Sequence, residues 1–78
     1  MNKYWIIESV TEGVLVKCEL DGDRWHYEFL TSIHRNEGMT FYTLDEAKKW
    51  LEEMRRSIKN LFIVEMTDRP PSARVLGL

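Results

Sequence analysis

At 78 residues, with 44% hydrophobic and 31% charged side chains, the chain has room for one small domain and none for a cleft between domains. Its formal charge of -2, from 11 basic and 13 acidic residues, is neither the basic excess of a typical nucleic-acid binder nor the acidic block of a solvating tail. Aromatics at 12% argue against disorder, and the lone Cys18 excludes an intramolecular disulfide or a cysteine-based zinc site.

A single cysteine suits a reducing, cytoplasmic setting. The apolar stretch Tyr4-Trp5-Ile6-Ile7 is too short for a signal-peptide core or a membrane span, so no membrane association is expected. Lys3 to Ser9 reads as a strand that is apolar on both faces, Tyr4 and Ile6 on one and Trp5 and Ile7 on the other. That pattern belongs to a central strand. Val10-Thr11-Glu12-Gly13 closes a short loop, and Gly13 can take the left-handed position such a loop needs.

The next feature is a hairpin centred on Asp21-Gly22, a two-residue turn whose twist matches the flanking strands. It pairs Cys18 with Trp25, Val16 with Tyr27 and Val14 with Phe29 on an apolar face. Glu19 then meets Arg24, Lys17 meets His26, and Leu15 meets Glu28 on the outward face. Ile33-His34 and Met39-Thr40-Phe41-Tyr42 flank Arg35-Asn36-Glu37-Gly38, which reads as a further loop. The result is an antiparallel meander of three to four strands.

Thr43-Leu44-Asp45-Glu46 is a capping box that opens a helix, with Tyr42 and Ala47 placed to form a hydrophobic staple. Leu44, Ala47, Leu51, Met54 and Ile58 recur at spacings of three and four and form an apolar stripe, with Trp50 at its edge. Asn60 can stop the helix in the left-handed conformation. Leu61 to Met66 is too short and too β-branched for more helix. It reads as a last strand, antiparallel to the first and beside it. Thr67-Asp68-Arg69-Pro70-Pro71-Ser72 is expected to end the sheet, because successive prolines lack donors. Residues 1–66 are thus expected to form one α+β domain of order ββββαβ, with one helix on one sheet face, followed by a Pro-containing tail at 67–78. The tail residues Val75, Leu76 and Leu78 are either frayed or folded back.

Little in this pattern points to catalysis. Cys18 lies on the inward strand face, where a thiol behaves as a small hydrophobe. His26 and His34 lack the spacing of a metal site and read as solvated. Glu46, Glu52 and Glu53 sit within one helical turn of Lys48, Lys49, Arg55 or Arg56, the ordinary pairing of a solvated helix face. No glycine-rich phosphate loop is present. Neither an enzyme, a cofactor nor a metal is expected.

Strands followed by Thr43-Leu44-Asp45-Glu46-Ala47-Lys48-Lys49-Trp50-Leu51 resemble the arm-type, three-stranded-sheet DNA-binding domains of phage integrases over residues 3 to 58. That resemblance implies sheet-mediated contact with duplex DNA, with Lys48, Lys49, Arg55 and Arg56 as phosphate contacts. Against it, residues 1 to 42 carry seven acidic side chains and four basic ones, and acids aimed at phosphates oppose binding. The leading expectation is a non-catalytic protein-binding module of the bacterial or phage accessory or inhibitor kind, pairing with another protein or with itself as a homodimer. One helix covers one sheet face, so Trp5 and Ile7, with Leu15 and Ile63, are expected to form an exposed apolar interface.

Overall fold

Five strands share one antiparallel sheet in the order β3-β2-β1-β4-β5. Among the described residues they are β1 (Lys3–Ser9), β2 (Gly13–Asp21), β3 (Arg24–Leu30), β4 (Leu61–Asp68) and β5 (Pro71–Val75), with a 3₁₀ helix at Ser32–Glu37 and one α-helix, α1 (Leu44–Met54). The computed structural model describes residues 2–68 and 71–76. The fold is α+β, as expected, with β1 central and β4 beside it over seven paired residues, Lys3↔Thr67 to Ser9↔Leu61. Its two-faced apolar pattern is the reason: Ile6, Ile7, Glu8 and Ser9 are all buried, which only a strand covered on both faces allows.

α1 forms as its sequence dictates. The Thr43 hydroxyl accepts from the Glu46 amide at 3.1 Å, and Ala47, Leu51 and Met54 are buried on the sheet. Asn60 adopts φ 62, turning the chain into β4. Tyr42 is 77% exposed rather than stapled to Ala47. On the helix side, Ile7, Leu15, Phe41, Leu61 and Ile63 complete the main core, with Trp5, Tyr27, Phe29 and Leu76 packed against it.

The hairpin register differs from expectation. Asp21 pairs with Arg24, Leu20 with Trp25, Cys18 with Tyr27 and Lys17 with Glu28, so Gly22 and Asp23 are the two central residues. Gly22, at φ 66, takes the first central position, as glycine does in a type II′ turn. The shift of two residues leaves each side chain on its expected face near the turn. At Val16, however, the register slips by one, and Leu15 instead pairs with Phe29 and Val14 with Leu30. A bulge of this kind transfers the residues beyond it to the opposite face, so Leu15 turns inward to the helix and Val14 turns away.

The bulge also parts β2 from β1, which pair only at Glu8↔Val14 and Ser9↔Gly13. Into the opening comes the chain at 39–41. The Met39 amide donates to the Leu15 carbonyl at 2.8 Å, and Trp5 and Phe41 exchange amide–carbonyl bonds at 2.8 Å each. The expected fourth strand is therefore a single bridge, Trp5↔Phe41, and Ser32–Glu37 is 3₁₀ helix rather than strand and loop. That helix lies over the second sheet face, whose core is Ile6, Val14, Val64 and Met66. Gly38 presses directly on it: a Cβ there would stand 2.8 Å from Val14 Cγ2 and 2.9 Å from Ile6 Cγ2. Arg35 holds the same layer down. Its Nε is 2.5 Å from Oε2 of the buried Glu8, and Nη2 donates to Oε1 at 3.4 Å. The Nε–Oε2 approach is a charge contact and not an aligned hydrogen bond, which leaves both atoms without a directed partner.

The sheet does not end at residue 66. β4 runs to Asp68, and β5 pairs with it from Asp68↔Pro71 to Val64↔Val75. Proline is admissible there because it is the first residue of an edge strand, where no ladder donor is needed. Leu76 folds back as one of the two expected alternatives, its amide bonded to the Ile63 carbonyl at 2.9 Å; Val75 is 55% exposed, and Leu78 lies outside the described residues.

Removing Arg35 leaves Glu8 as a buried carboxylate without its counter-charge. Arg35→Ala is expected to lower stability by about 1–3 kcal/mol, read as a fall in the urea midpoint. Arg35→Ala combined with Glu8→Leu should recover part of that loss.

Candidate protein-docking edge

β3 is one of the two outer strands of the sheet and, among the described residues, pairs only with β2. Antiparallel pairs alternate between hydrogen-bonded and open, beginning with a bonded pair at a two-residue turn. Asp21↔Arg24 closes the turn and Glu19↔His26 and Lys17↔Glu28 follow at every second position, so the amides and carbonyls of Arg24, His26 and Glu28 face β2. Those of Trp25, Tyr27 and Phe29 face outward. The bulge lies in β2, so this alternation runs unbroken along β3.

The side chains of the same three residues project to the helix side. Trp25 meets Trp50 of α1 edge-on, with ring centroids 5.0 Å apart and planes at 84°. Below them a groove of about 460 Å³ runs between β3 and the C-terminal end of α1, bounded by Asp23, Trp25, Tyr27, Glu53, Arg56 and Ser57. It continues past Tyr27 and Phe29 to Ser57 and Asn60. Burial raises the Tyr27 phenol above its ordinary pKa, and the Glu53 carboxylate adds to the effect. On the opposite face the charges alternate. Lys17 bonds Glu19 at 2.9 Å, which raises the lysine and lowers the carboxyl, and His26 stands 3.5 Å from Asp21.

The residues expected to form an exposed interface lie elsewhere. Ile7, Leu15 and Ile63 are 0% exposed, and Trp5 is half-buried against the same core. Their expected exposure is corrected by two physical facts: the face bearing Trp5, Ile7 and Ile63 is the one that α1 covers, and the bulge turns Leu15 toward it. The other face, expected to hold no layer, is covered by the 3₁₀ helix.

Lys48 and Lys49 on α1 and Arg55 and Arg56 in the turn that follows it are all exposed. Arg55 bonds Glu52 at 2.9 Å and Arg56 lies 3.8 Å from Glu53, while Lys48 and Lys49 have no carboxylate partner among the described residues. The four form no block of uncompensated positive charge. His34 is bound to Glu37 at 2.6 Å, far in sequence and element from His26, and no group of three metal-binding side chains occurs among the described residues. No helix among them is long and apolar enough to cross a membrane.

Sequence reasoning recognised Trp25, Tyr27 and Phe29 as one apolar face and missed that their strand is an edge. The available signal was composition. Arg24 to Leu30 contains neither lysine nor proline, the residues that commonly protect an edge, and it is followed by polar residues with no further strand pattern. Comparison of the sequence and structure with protein-family models, curated proteins and solved structures gave no match.

Two outcomes follow. Ile7→Ala and Leu15→Ala are each expected to lower stability by about 2–5 kcal/mol in chemical denaturation and to leave the assembly state unchanged. Cys18, 3.7 Å from the Met39 sulfur, has a thiol raised by burial. Less of it is thiolate at neutral pH than in an open peptide, so the native chain should react with a chromogenic disulfide several-fold more slowly than the chain in denaturant, with the native rate still rising above pH 9.

Proposed function

We propose that this chain is a non-catalytic protein-binding module that docks an extended protein segment along β3. The observation carrying this reading is an edge of seven residues, Arg24–Leu30, that carries neither lysine nor proline and lies beside an aromatic groove. Main-chain pairing along such an edge supplies affinity, and alternate side chains entering the groove supply specificity. The opposite edge argues by contrast. β5 has five residues and opens on Pro71, a short strand of the kind that resists further pairing. Trp25, Tyr27, Phe29 and Trp50 provide rigid apolar surface of the sort that dominates binding energy, and Glu53 and Arg56 at the rim can orient a polar segment. A module of this design suits an accessory or inhibitory protein that extends the sheet of a larger one.

The test is photo-crosslinking in producing cells, with a benzophenone amino acid at position 25 and a control at position 74 on β5. A protein adduct from position 25, absent from position 74 and lost in Tyr27→Pro, is expected. Proline at 27 removes the outward amide and spares the β2 ladder; Tyr27→Ala, which loses the ring and keeps the amide, is the control and should retain part of the adduct. No adduct, or equal adducts from both positions, would overturn the reading.

A further inference from the structure

We infer that the segment taken up by the β3 edge is β3 of a second copy, joined in antiparallel register about a two-fold axis at Tyr27. The inference rests on the docking role of this edge and names its occupant. Three independent features of Arg24–Leu30 lead to that register.

The first is main-chain parity. The outward-facing residues are Trp25, Tyr27 and Phe29, so a bonded antiparallel pair must set odd-numbered residues against odd-numbered ones. Centring on Tyr27 places Tyr27 opposite Tyr27, Trp25 opposite Phe29 and Phe29 opposite Trp25. Each pair exchanges two amide–carbonyl bonds, about six in all, and all seven residues of the strand are used.

The second is the apolar face. The same register stacks aromatic on aromatic at every helix-side position, the cross-strand combination that contributes most to sheet pairing. Trp25 is 36% exposed and Tyr27 and Phe29 are half-buried, so aromatic surface remains to be covered.

The third is the charged face. His26 comes opposite Glu28 of the second copy, and by symmetry Glu28 comes opposite its His26. At the ends Arg24 meets Leu30, which is 39% exposed and can receive the aliphatic stem of the arginine. Sliding the pair by two residues in one direction sets Glu28 against Glu28; in the other it sets Arg24 against Glu28 but His26 against His26, and it leaves only the two bonded pairs between Trp25 and Tyr27. Sliding by one sets inward-pointing amides against outward ones and reverses the faces. Centring on Tyr27 satisfies backbone, apolar and charged positions together, which is the self-complementarity an isologous contact requires.

Sedimentation equilibrium of the full chain from micromolar to millimolar concentration tests the proposal, with circular dichroism showing that each variant is folded. The wild type is expected to reach twice the monomer mass. His26→Lys sets opposite charges across both symmetric pairs and also suits its own neighbours Glu19 and Asp21, so it should tighten the dimer several-fold. Adding Glu28→Lys then opposes like charges and should loosen it roughly tenfold relative to His26→Lys alone. Tyr27→Pro should be monomeric. A wild type that stays monomeric at millimolar concentration would overturn the dimer, as would a dimer indifferent to Tyr27→Pro or to both charge variants. The crosslink at position 25 separates this outcome from failure of the docking role. An adduct at twice the chain's mass supports the dimer, an adduct with a different protein leaves the edge in use and removes the self-pairing, and no adduct removes both.

Discussion

The structure depends on the opening between β1 and β2. The strands pair at only two positions next to their loop, and the chain at 39–41 enters the space beyond them, bonded to Leu15 on one side and Trp5 on the other. This brings the polypeptide from one sheet face to the other at the open end of the hairpin, so no segment is threaded through a closed loop. The 3₁₀ helix before the crossing covers Ile6 and Val14, and α1 after it covers Ile7, Leu15 and Ile63. A chain of this size can bury both faces of its central strand because the connection between its two outer layers is itself part of the sheet.

Much of the fold could be read from local chemistry. The Thr43 cap, the stripe from Ala47 to Met54, the left-handed Asn60 and the placement of β4 beside β1 each follow from a pattern confined to a few residues. The departures at the expected interface share one origin. A bulge has no period of its own: Val14-Leu15-Val16 is apolar throughout, so the alternation that would reveal a slip of register is missing there. Once Leu15 turns inward, the supposed surface of Trp5, Ile7, Leu15 and Ile63 becomes core. The apolar surplus of the chain fills a second, 3₁₀-covered layer. β5 was hidden for a different reason, since a proline that forbids a central strand is acceptable as the first residue of an edge.

The two edges of the sheet are treated unequally. β5 is short and begins with proline, whereas β3 is long, regular and aromatic, and its neighbour β2 absorbs the irregularity at Val16. That division keeps the outward amides of Trp25, Tyr27 and Phe29 evenly spaced while α1 supplies Trp50 and Glu53, and the turn after it Arg56, alongside. The candidate site was only half legible for this reason. The sequence marks which residues share a face, and strand order decides which of them border solvent.

The bulge at Val16 has a mechanical side as well. Beyond it, the arm formed by Lys17–Asp21 and Arg24–Tyr27 leaves the body of the sheet, and Trp25 against Trp50 is the ring contact holding its tip to α1. β1 is buried on both faces whereas residues 19–26 around Gly22 are all exposed, so local opening is expected to begin at the hairpin tip and not in the middle of the sheet. Fraying there would part Trp25 from Trp50 first, because their edge contact lies near the tip, while Ile6, Ile7 and Glu8 stay buried in β1.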